Sequence, residues 1–76
     1  MLSNDDHVRL PTVDPQPGDV VLAAQKRQTV ERRVRRRDGY NIYYESSTRN
    51  GLQMCWATTW RDWCAKHHAE VIETGS

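Results

Sequence analysis

The chain has 76 residues, with three Trp, three Tyr, two Cys and no Phe. A domain of this size buries only about 60 % of the surface its unfolded chain exposes, so a catalytic cleft would compete with the core for a few apolar side chains, and the composition argues against an enzyme. The formal net charge of +1 conceals a segregation: Asp5, Asp6, Asp14 and Asp19 load the first quarter, and Lys26, Arg27, Arg32, Arg33, Arg35, Arg36 and Arg37 follow with only Glu31 among them. A domain with this order can carry a basic face that its overall charge does not reveal.

No stretch reaches the roughly 20 apolar residues of a membrane-spanning helix. The start Met1-Leu2-Ser3-Asn4-Asp5-Asp6 lacks the basic-then-apolar order of a signal peptide. The expectation is a cytoplasmic protein without a membrane partner. Two cysteines make no disulfide framework, so Cys55 and Cys64 read as reduced, small core residues.

In chain order, residues 1–17 contain Pro11, Pro15 and Pro17 and no apolar period, and are expected to form a flexible acidic arm. Residues 18–73 are the single folded domain and residues 74–76 a tail. Asp19 to Ala24, behind a Pro-Gly turn signal, suits a first strand. Thr29–Arg37 and Tyr40–Ser46 flank Asp38-Gly39, a dipeptide favoured in two-residue hairpins. Asn50-Gly51 is a second such signal, between Tyr40–Thr48 and Leu52–Ala57. Together they predict a three-stranded antiparallel meander. The period of two puts Tyr40, Ile42 and Tyr44 on one half-buried face, and likewise Leu52, Met54 and Trp56.

After Trp56, Thr58 or Thr59 can cap a short helix whose Trp60, Trp63, Cys64 and His67 fall at i, i+3, i+4 and i+7, with Asp62 near its N-terminus. Glu70-Val71-Ile72-Glu73 suits a closing strand. A rival reading makes Val20 to Arg37 one helix, capped by Asp19 and stopped by Gly39, with Val30 and Val34 as a thin apolar stripe.

The succession of Gly18-Asp19-Val20-Val21 opening a strand, two tight hairpins, a short helix with Trp60 and Trp63, and a last short strand resembles the small SH3-like barrels. More loosely it resembles small uncharacterised barrels encoded by phages and integrated elements. The resemblance covers about Pro17 to Glu73 and implies a mainly β barrel of about five strands with one short helix before the last. Such barrels serve in nucleic-acid binding, peptide binding and assembly, so the fold does not choose among functions.

Alternation places Arg33, Arg35 and Arg37, with Glu31, on one face of the second strand, and Val30, Arg32, Val34 and Arg36 on the other. Arginine forks suit phosphates, and Lys26, Arg27 and Arg49 could extend the patch. Tyr43, opposite in parity to Tyr40, Ile42 and Tyr44, is expected to face solvent, where an aromatic can stack on a base. These residues make the leading expectation a non-enzymatic nucleic-acid-binding accessory protein contacting a DNA or RNA backbone. A solvated strand face whose charge deters edge pairing fits the same pattern, and the second functional reading is a protein-interaction module. A monomer or weak homodimer is expected.

Three further groupings have less to recommend them. Trp56, Trp60 and Trp63 could cage a methylated cation, but their spacing favours core packing. Cys55, Cys64, His67 and His68 have the side chains of a zinc set, but one Cys-x-x-His half-site is a sparse pattern, and no cofactor is expected. Cys64 with His67 or His68 and Asp62 has the residue types of a nucleophilic triad, but their adjacency on one helix points them apart.

Overall fold

Alternating apolar residues and two left-handed turns dictate the architecture. The computed structural model describes residues 9–75. Five antiparallel strands, β1 (Val20–Gln25), β2 (Gln28–Asp38), β3 (Asn41–Ser46), β4 (Arg49–Trp56) and β5 (Glu70–Glu73), form one sheet in the order β4-β3-β2-β1-β5, and helix α1 (Ala57–Lys66) precedes the last strand. The fold is therefore mainly β, as expected. Val20 to Arg37 is two strands and not a helix: Lys26 adopts a positive φ of 52° at the turn, and all of β1 pairs with β2 from Val20↔Arg33 to Gln25↔Gln28. The thin Val30/Val34 stripe buries both valines at period-two spacing on one side of β2.

Both hairpins depart from the expected register. Asp38 pairs with Asn41, so the first turn is Gly39-Tyr40, with Gly39 at φ 63°. Tyr40 lies on this turn and is 77 % exposed, while Ile42 and Tyr44 are buried. The second turn is Ser47-Thr48, because Ser46 pairs with Arg49. Asn50-Gly51 forms a bulge inside β4: Glu45 pairs with Leu52 while Ser46 pairs with Arg49, and Gly51 takes φ 85°. A bulge inserts extra residues into one strand and uses glycine where a positive φ is required.

The core lies between one face of the sheet, here the inner face, and α1. Val21, Val34, Ile42, Tyr44, Ala57, Trp60 and Cys64 form its buried cluster, with Cys55, Trp63 and Ala69 packed against it. Trp60 is fully buried, meets Tyr44 edge-on at 5.5 Å between ring centroids, and donates its indole N–H to the Pro11 carbonyl at 2.9 Å. Burying the indole serves the core, and the bond satisfies its one polar atom. The helix starts before the expected threonine cap: Trp56 occupies the N-cap position without a side-chain bond. The Ala57 N–H donates instead to the Tyr40 carbonyl at 2.8 Å, tying the helix to the first hairpin.

Within the segment read as a flexible arm, residues 9–17 lie on the domain, and residues 1–8 are outside the described range. Asp19 is the reason. Its carboxylate, 0 % exposed, accepts both terminal N–H groups of Arg9, the Gln16 N–H at 2.7 Å and the Gly75 N–H at 2.7 Å. Arg9 also donates to the Gly75 carbonyl at 3.0 Å. Burial pushes the Asp19 carboxyl up, but the Arg9 guanidinium and the two backbone N–H donors outweigh it and hold the pKa below the ordinary value. One buried anion thus joins the N-terminal segment, the start of β1 and the C-terminal tail.

Candidate functional site

The arginine pattern of β2 is split by a second bulge. Val34 pairs with Tyr44 and Arg36 with Tyr43, which leaves Arg35 unopposed and reverses the alternation beyond it. Arg33, opposite Glu45, stays on the outer face, away from α1. Arg36 joins that face, and its guanidinium lies over the Tyr43 ring at 4.8 Å. Arg37 leaves it: it pairs with the buried Ile42 position, bonds Asp14, and donates to the Pro15 carbonyl at 2.9 Å and the Gly39 carbonyl at 2.9 Å. Strict alternation had placed Arg33, Arg35 and Arg37 together and Arg36 apart, and one extra residue in the strand overturns that grouping.

Carboxylates neutralise the arginines that remain outside. Arg33 meets Glu73 at 3.3 Å, Arg35 meets Glu45 at 3.5 Å, and Arg36 approaches Asp38 at 3.9 Å. Glu31 and Glu70, the cross-strand partners of Leu22, add further negative charge to the same side. The outer face therefore carries both signs in alternation. Lys26 and Arg27 lie at the β1–β2 turn and Arg49 at the β3–β4 turn, all exposed, at separate places. The seven residues expected to make one basic patch thus occupy the outer face, an internal clamp and two turns.

The sequence misassigned one more feature of the outer face. Leu52, Met54 and Trp56 share a face as expected, but it is the solvent face: they are 56 %, 51 % and 64 % exposed, while Cys55 packs against the core. They line up across β3 with Glu45, Tyr43 and Asn41. Tyr40 extends the stripe, and Tyr40, Asn41, Trp56, Ala57 and Thr58 enclose an open recess of about 270 Å³. Since β4 is an edge strand, the apolar stripe lies beside unpaired backbone groups.

The aromatic cluster of the inner face encloses a cation from the chain itself. The Arg32 guanidinium lies 3.7 Å from the Trp63 ring centroid, 4.5 Å from Tyr44 and 5.9 Å from Trp60. Trp56 points away from this group. Cys55 and Cys64 are unbridged, and burial pushes both thiols up, Cys64 to about 11. His67 meets the Gln25 amide at 3.1 Å and tilts against Trp63. Among the described residues, no three His, Cys, Asp or Glu side chains come together as a metal site, and no helix is long and apolar enough to cross a membrane. Comparison with known proteins finds no matching family, curated relative or solved structure.

Proposed function

We propose that this chain is a non-catalytic protein-interaction module that docks its partner on the outer face of β3 and β4. One observation carries the reading: an edge strand presents Leu52, Met54 and Trp56 to solvent, continuous with the Tyr40–Trp56 recess. Contiguous exposed apolar surface rimmed by polar residues marks interaction sites. Trp, Tyr, Met and Arg, the residues gathered here, are those enriched where proteins meet. The partner has an apolar side chain to fill the recess, bordered by charges of both signs to match Arg33, Arg36, Asp38 and Glu45. An SH3-like reading of the fold, on its order of hairpins, short helix and last strand, agrees with a binding role.

The rival is phosphate binding by the β2 arginines, and Arg36 stacked on Tyr43 favours it. Ion pairs with Glu73, Glu45 and Asp38 weigh against it, because they remove the local excess of positive charge that binding of a nucleic-acid backbone needs. Fluorescence anisotropy with labelled single- and double-stranded DNA and RNA at low and physiological salt separates the two. Interaction through the apolar face predicts no saturable nucleic-acid binding at either salt. Salt-steep binding that is lost on changing the outer-face Arg33, Arg35 and Arg36 to Ala would overturn the proposal and restore the nucleic-acid reading.

A further inference from the structure

The inner face holds a cation for which the described residues supply no anion. Arg32 sits in mid-β2, between Val21 on one side and Ser46 on the other, and projects toward α1. Trp63, Tyr44 and Trp60 cover it with aromatic faces. Among the described residues no carboxylate comes within ion-pair distance of it, although four other arginines of β2 and Arg9 each have such a partner. Its Nε–H and the indole N–H of Trp63 are both buried without an acceptor. Cation–π contacts return part of what the guanidinium loses on leaving water, but they satisfy none of its N–H donors.

Arg49 adds a second positive charge. It pairs with Ser46, the residue that also faces Arg32, and it acts on Tyr44 in the same electrostatic direction as Arg32. Arg32 remains partly open to solvent, and of its nitrogens only Nε is both buried and unpartnered. The terminal N–H pair of the fork is therefore left for an incoming group. A planar guanidinium, held in orientation by ring stacking, offers two parallel donors that match the two oxygens of a carboxylate or phosphate.

We infer that Arg32, supported by Arg49, forms an oxyanion-binding site on the inner face, specific for a carboxylate or phosphate group. The site is on the opposite side of the sheet from the proposed docking face, so each stands or falls alone.

The experiment is a titration of the ¹⁵N-labelled protein with sodium acetate and, separately, sodium phosphate, each against sodium chloride at equal ionic strength. The Arg32 Nε–H and Trp63 indole N–H resonances are followed, assigned with Arg32→Lys and Trp63→Phe. Expected are saturable one-site shifts of both signals, absent with chloride, and the tighter of the two salts identifies the preferred oxyanion. Arg49→Gln should weaken binding about threefold to tenfold, and Arg32→Met should abolish it in a protein that still unfolds cooperatively. Should Arg32→Met not fold, Arg32→Lys keeps the charge without the fork and should bind at least about tenfold more weakly. Shifts that follow ionic strength alone, equal for all three salts, would overturn the inference and leave Arg32 a packing cation.

Discussion

Replacing Asp19 by Asn removes the charge from the buried hub while keeping its shape. The carboxylate accepts four hydrogen bonds, from two Arg9 N–H groups and from the backbone of Gln16 and Gly75. An Asn amide has one acceptor oxygen, so its NH₂ must face at least one of these donors. A buried donor left unmet costs about 1–3 kcal/mol. The Arg9 side chain is 26 % exposed and keeps some water, so its loss counts for less. Together these give a destabilisation of about 2–4 kcal/mol, or about 8–32 °C in melting temperature for a domain this size, where 1 kcal/mol moves Tm by about 4–8 °C. Circular dichroism melts of wild type and Asp19→Asn at pH 7 measure it. The pH dependence supplies an independent check. A carboxyl whose pKa is lowered on folding stabilises above the ordinary value of 3.8, and that contribution is lost as pH falls through the folded pKa. The acid limb of the stability curve below about pH 4 should therefore be shallower in Asp19→Asn. A variant within about 0.5 kcal/mol of wild type, with an unchanged acid limb, would refute the hub.

Other substitutions separate the structural arginines from the surface ones. Arg37→Ala should cost about 1–2 kcal/mol in urea unfolding, because it releases Asp14 and the Pro15 and Gly39 carbonyls, while Arg35→Ala, which loses only an exposed pair with Glu45, should change stability by less than about 0.5 kcal/mol. A methyl at Gly75 would run into the Pro17 carbonyl oxygen, so Gly75→Ala should lower Tm and increase proteolysis near the C-terminus. Trp60→Phe removes the indole N–H that holds Pro11 and should destabilise by about 1–3 kcal/mol, strand the Pro11 carbonyl, and raise hydrogen exchange in residues 9–17. Because burial pushes the Cys64 thiol up to about 11, it should resist iodoacetamide at pH 8 in the native protein and react in denaturant; stability should fall as pH rises from about 9 toward 11, the range in which the unfolded thiol ionises first.

The strands and the helix were legible because period two and the Trp60, Trp63, Cys64 spacing are local signals. Which face of β4 is buried was not. Alternation groups Leu52, Met54 and Trp56, but the side that meets α1 is set by their pairing with Asn41, Tyr43 and Glu45, opposite in parity to the buried Ile42 and Tyr44. The bulge at Asn50-Gly51 adds two residues and leaves that parity unchanged, and an Asn-Gly pair looks the same in a bulge as in a turn. The bulge at Arg35 adds one residue and so moved Arg37 inward and Arg36 outward, although nothing in a run of arginines marks it. Asp19 was read as an early negative charge, the opening of the first strand and the cap of the rival helix, but not as a hub, because its partners Arg9 and Gly75 come from opposite ends of the chain. Arg32 was grouped by parity with Val30 and Val34, and it lies with them on the face toward α1. Its aromatic enclosure depends on a helix far along the sequence.

A photo-crosslinking side chain in place of Met54 tests the docking face most directly, with the same group in place of the exposed Ala65 on α1 as control. The measurement is the crosslink of each protein in cells, identified by mass spectrometry, with the affinity of the complex then measured from purified components. Docking on β3–β4 predicts one protein adduct at position 54 and none at 65, and an affinity at least about tenfold weaker for Trp56→Ser, a loss of about 1.4 kcal/mol, at unchanged melting temperature. A second copy of the chain as the adduct would make the module a homodimer on the same face. Equal labelling at both positions, or an affinity indifferent to Trp56→Ser, would contradict the account.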